Sequence, residues 1–117
     1  MDLTKQQIAE AFSSHDFRNT YPYLAGNITW TMVGGEQLVG RDQVVRTCEE
    51  SARYLDGVET RFSRFRVLAG ADWVVVDTEA AYEGADGEKS VVASCDIFEF
   101  AGAMVVNITS YNIELGG

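Results

Sequence analysis

The chain has 117 residues, 46% of them apolar, enough for a single domain over 1–117 with one core. Eighteen acidic against nine basic residues leave a formal net charge of −9. Phosphate backbones and anionic lipid surfaces are repelled by most of such a surface, so neither nucleic acid nor a membrane is an expected partner. No run approaches the roughly 18 consecutive apolar residues of a membrane span. Met1-Asp2-Leu3-Thr4-Lys5-Gln6-Gln7 lacks the basic and apolar regions of a signal peptide, which makes the cytoplasm the expected location.

Thr4 and Gln7 fit a capping box, with Leu3 and Ile8 spaced for a hydrophobic staple. Ile8, Ala11 and Phe12 recur at helical spacing and predict a first helix over 5–14. His15, the only histidine, falls at its C-terminal end, where partial positive charge is favourable; a surface or capping role is expected. A lone histidine with no cysteine or carboxylate cluster predicts no metal site. Asp16 can cap a short second helix over 17–24, made irregular by Pro22. Ile28, Trp30 and Met32 alternate with Thr29 and Thr31 in a strand over 27–33, and 37–39 is a short extended segment. A third helix over 42–55 carries Val44, Val45, Cys48, Ala52 and Leu55 on one face, with Glu49 and Arg53 spaced to pair.

Four long strands follow, over 58–68, 73–82, 89–100 and 104–114. In the first of them Phe62 and Phe65 are three residues apart on what should be one face, so a β-bulge is expected between them. Asp77 and Glu79 share a face with Trp73 and Val75; cross-strand pairing with Arg61, Arg64 or Arg66 is their expected role. Cys48 and Cys95 have no metal-like spacing and are expected as packed thiols. The anomaly is Asp96, which shares a strand face with Val92, Ser94, Phe98 and Phe100. A carboxylate there must be hydrogen-bonded within the protein, become neutral, or line a cavity. The element order predicts an α+β domain whose curved, mostly antiparallel sheet wraps the first and third helices around a cone-shaped cavity.

Four stretches carry a family resemblance: His15-Asp16-Phe17, 24–30, 38–42, and Val91 to Phe100 around Asp96. In their order and spacing the chain resembles the nuclear transport factor 2-like superfamily, in its SnoaL-like and ketosteroid isomerase-like branch. The resemblance implies a cystatin-like cone fold and puts Asp96 where ketosteroid isomerases hold a protonated aspartic acid against the substrate oxyanion. It also implies absent partners. The isomerase base falls at Met32 and its oxyanion tyrosine at Ile8. The arginine of limonene epoxide hydrolase-like enzymes falls at Ser94, and the last-strand carboxylate of many SnoaL-like enzymes at Ser110 or Asn112.

The function expected from residues and resemblance together is a small-molecule enzyme of the SnoaL-like type, with isomerase, cyclase or hydrolase-like acid–base chemistry. Asp96 would be the catalytic group, hydrogen-bonded to Ser94, Ser110 and Asn112. Phe12, Trp30, Met32, Phe98 and Ile108 would wall a pocket for an apolar substrate, with aromatic and polycyclic rings among the candidates. No cofactor is expected, and the sheet's outer face is the expected homodimer surface. The alternative is a non-catalytic ligand-binding or dimerisation domain, suggested by the missing partners at Ile8, Met32 and Ser94.

Overall fold

Local chemistry sets where the first helix starts. Thr4 Oγ1 accepts the Gln7 N–H at 3.1 Å and Gln7 Oε1 accepts the Thr4 N–H at 2.9 Å, the reciprocal capping box. In this computed structural model, which describes residues 2–116, the helix α1 spans Lys5–Ser13. Met1 and Gly117, the ends of the expected single-domain span, lie outside the described residues. A 3-10 helix follows over Phe17–Tyr23, its irregularity matching the missing N–H of Pro22. Then come β1 (Leu24–Met32), β2 (Gln37–Val39), α2 (Arg41–Leu55), β3 (Val58–Ala69), β4 (Trp73–Gly84), β5 (Lys89–Ala101) and β6 (Met104–Leu115). β1 starts three residues before the expected 27, because Leu24 already pairs with Val105 across a bulge in the β1–β6 ladder.

The six strands make one open, curved sheet in the order β2-β1-β6-β5-β4-β3, antiparallel except where β1 runs parallel to β6. The expected bulge lies between Phe62 and Arg64, with Ser63 as the extra residue, so Phe62 and Phe65 both face inward. Both helices lie on the concave face: α1 touches β3, β4 and β5, while α2 touches β1, β2 and β3. Phe12 of α1 is the hub of the core. Its ring meets Phe17, Trp30 and Phe98 edge-on at centroid distances of 5.1, 5.0 and 5.6 Å.

The convex face carries the expected ion pairs. Arg66 Nη2 is 2.7 Å from Asp77 Oδ2, while Arg64 lies 3.2 Å from Asp77 and 3.4 Å from Glu79. These contacts, the Arg66 hydrogen bond foremost, hold the Asp77 carboxyl below its ordinary value. Arg61 is not part of the group and pairs with Glu59 on its own strand. Glu49 also departs from expectation. Instead of Arg53 it takes the Tyr21 hydroxyl at 2.7 Å, with Arg18 at 3.7 Å, because α2 packs against the 3-10 helix there. Among the described residues, no helix is long and apolar enough to cross a membrane.

Candidate functional site

Strand alternation determines what faces the helices. On β5 the inward residues are Ser90, Val92, Ser94, Asp96, Phe98 and Phe100, and on β6 they include Ile108, Ser110 and Asn112. A cavity of about 650 Å³ opens between this surface and the helices. Phe12, Phe17, Trp30, Met32, Phe62 and Val92 give it apolar walls, crossed by a polar stripe of Ser13, Thr78, Ser90, Ser94, Ser110 and Asn112. Exposed Glu36 and Glu50 stand at its rim with Tyr54. No described lining residue is a lysine or arginine.

Asp96 lies on the cavity surface. Its position directly opposite Ser110 brings the Ser110 hydroxyl to Oδ1 at 2.6 Å, and Ser13 from the last turn of α1 donates to Oδ2 at 2.8 Å. The Trp30 indole N–H donates to Ser110 Oγ at 3.0 Å, which leaves that hydroxyl's proton free for the carboxylate. Burial pushes the Asp96 carboxyl above its ordinary value; the bonds from Ser110 and Ser13 and the nearness of His15 oppose it and do not prevail. The result is a carboxyl that holds its proton more tightly than a solvated one, with its surface open to the cavity.

Several expected assignments are corrected by the packing. Ser94 and Asn112 line the cavity but bond to each other at 2.7 Å, not to Asp96, because they are cross-strand neighbours one pair further along. Phe98 and Ile108 are fully buried behind the cavity wall, where Phe98 backs Phe12, and contribute no surface to it. Met32 lines the cavity, whereas Ile8 is sealed in the core. His15 caps the helix as expected, its N–H reaching the Phe12 carbonyl at 3.1 Å, but it is not a surface residue. Its ring lines the cavity against Phe17, Phe62 and Tyr82, at centroid distances of 5.8, 6.0 and 6.1 Å. Burial lowers its pKa, and the Asp96 charge pulls the other way. Tyr82 faces the same space, its hydroxyl pKa raised by burial and then by Asp96.

The cavity also takes in Ser13 and Tyr82, to which the sequence pattern gave no role, and His15, for which it predicted a surface or capping one. A signal for His15 was present: Ser14-His15-Asp16 ends a helix with no glycine where one is favoured. Ser13 gave no comparable signal, since its role depends on how α1 docks on β5. Among the described residues no group of three or more His, Cys, Asp or Glu is placed to hold a metal ion.

The family model described as a SnoaL-like domain matches residues 6–108. The chain belongs to the SnoaL-like domain family. No curated protein matches this SnoaL-like chain, but solved structures do. It is similar to an NTF2-like protein of unknown function from Cytophaga hutchinsonii, with 28% identity over 91% of this chain and 93% of that one, at a TM-score of 0.80. It is also similar in fold to a proposed polyketide cyclase from Xanthomonas campestris (17% identity, 89% and 83% of the two chains, TM-score 0.69). An LEH-like epoxide hydrolase from M. tuberculosis matches at 19% identity over 92% and 81%, with a TM-score of 0.66. The cone architecture of the SnoaL-like chain is therefore that of the NTF2-like fold. Fold likeness at these identities does not name a reaction.

Proposed function

We propose that this SnoaL-like protein is an enzyme that moves protons on a neutral small molecule held in the cone cavity, with Asp96 as the acid–base group. One observation carries the proposal: a carboxyl on the cavity surface, pushed up by burial and held by Ser13 and Ser110. Acid–base groups work best when their pKa lies nearer the operating pH than a solvated carboxylate's does. Phe12, Trp30 and Met32 would hold the apolar body of the substrate, and the Ser94–Asn112 pair would meet an oxygen on it. Asp96, Glu36 and Glu50, with no lysine or arginine beside them among the described lining residues, disfavour phosphate- or carboxylate-bearing substrates. The chemistry best suited to such a site is proton abstraction beside a carbonyl, the step shared by isomerisation and cyclisation through an enol.

A neutral bicyclic ketone, 2-tetralone, provides a probe. In deuterated buffer the protein is expected to accelerate exchange of the C1 protons, followed by proton NMR, and Asp96→Asn should lose about 100-fold of that acceleration. An Asp96→Asn rate equal to wild type would contradict the proposal. A binding-only role is the second reading, favoured by the hydroxyl already donating to each Asp96 oxygen; tight binding of 2-tetralone without exchange would support it. A homodimer through the convex face is a separate proposal, supported by exposed Leu68, Trp73, Tyr111 and Ile113.

A further inference from the structure

His15 occupies a backbone position made for glycine. At the end of α1 the Asp16 N–H reaches the Ala11 carbonyl at 2.8 Å and the His15 N–H reaches the Phe12 carbonyl at 3.1 Å. This is the Schellman ending, whose next residue must turn left-handed, and His15 does so at φ 72°. A residue with a Cβ is disfavoured there by the clash of that carbon with the following carbonyl oxygen. Among non-glycine residues histidine tolerates the conformation better than most, but glycine is cheaper still. Strain kept at one residue prompts the question of what its side chain does. Here the left-handed turn coincides with an imidazole in the cavity, stacked among Phe17, Phe62 and Tyr82. Two residues earlier on the same helix end, Ser13 is tied to Asp96. One short segment thus orients the carboxyl and supplies a second titratable group to the same space.

We propose that His15 is the second proton-carrying group of the site, paired with Asp96 within the cavity that both line. The inference rests on the proton-transfer reading of Asp96 and adds the partner that a keto–enol step needs. The pair shares one proton. With it on His15, the Asp96 carboxylate takes a proton from the carbon beside a carbonyl. The C–H electron pair forms the C=C bond, the carbonyl π pair moves to oxygen, and the imidazolium gives that oxygen its proton. An enol, a neutral imidazole and a carboxylic acid result, and the site's proton count is unchanged. Return of the Asp96 proton to a different carbon, with the enol proton going back to His15, completes an isomerisation. Burial favours this exchange, since it raises Asp96 and lowers His15 and so brings their proton affinities together. The other titratable groups lining the cavity are Tyr82 on β4, Tyr54 and Glu50 on α2, and Glu36 before β2.

The pairing can be tested without a substrate. Because the chain has one histidine, its ring proton resonances are unambiguous. Asp96→Asn is expected to lower the His15 titration midpoint by about half a unit or more, and more than Glu50→Gln does. Reciprocally, His15→Asn, which tolerates the left-handed turn, should raise the Asp96 carboxyl midpoint followed by carbon NMR. The same variant should slow 2-tetralone exchange by about tenfold or more. An unmoved His15 midpoint in a folded Asp96→Asn protein would overturn the pairing. So would exchange that depends on Asp96 but not on His15, an outcome that leaves the Asp96 proposal standing.

Discussion

Asp96 is costly to stability for the same reason it is useful. Burial raises its pKa, so its contribution to stability is complete below the ordinary carboxylate value and is lost as pH rises through the raised one. Above that raised value the fold holds a carboxylate it would sooner keep protonated. Asp96→Asn should stabilise the protein on the order of 1 kcal/mol at pH 8, with the gain shrinking toward pH 4. Paired thermal melts at the two pH values check this, and a destabilised variant at pH 8 would count against it. The anomaly of Asp96 was legible in the sequence, because one acid among Val92, Phe98 and Phe100 breaks the strand pattern. Its partners were only half legible. Ser110 follows from strand pairing, whereas Ser13 depends on helix docking, and the bond between Ser94 and Asn112 on register.

At the scale of the element, β3 does the shaping. The three-residue spacing of Phe62 and Phe65 already implies the bulge, since only an extra residue lets both face inward. Deleting Ser63 leaves Phe62 opposite Ala80 and Arg64 opposite Glu79, so every side chain of β3 keeps its face, but the bend is removed. The expected result is a folded protein in which Phe62 moves away from the His15 ring and the His15 proton resonances shift; unchanged resonances would show that the bulge does not shape the cavity. The end of α1 was harder to read. Helix periodicity stops near Ser14, but nothing in it says that the next residue turns left-handed into a cavity. A helix C-terminus usually points to solvent, which is why a surface or capping role is expected for His15; the cap forms, and the curved sheet encloses its side chain.

For the whole molecule, the curved sheet divides the work between its two faces. The concave face holds the cavity, and the convex face combines exposed Leu68, Trp73, Tyr111 and Ile113 with the Arg64–Asp77–Arg66 pairs. If that face joins two copies, Ile113→Lys should shift the protein toward monomer in sedimentation velocity, while 2-tetralone exchange persists; a wild-type monomer at all concentrations would contradict the dimer. A net charge of −9 and a cavity whose described lining has no lysine or arginine both weigh against anionic ligands. The central claim is that Asp96 keeps a raised proton affinity while open to the cavity. Its most direct test is the carbon NMR titration of the Asp96 side-chain carboxyl, with and without 2-tetralone. A midpoint above the ordinary carboxylate value of about 3.9, moved by the ligand, is the expected result. A midpoint at or below that value, indifferent to the ligand, would contradict it.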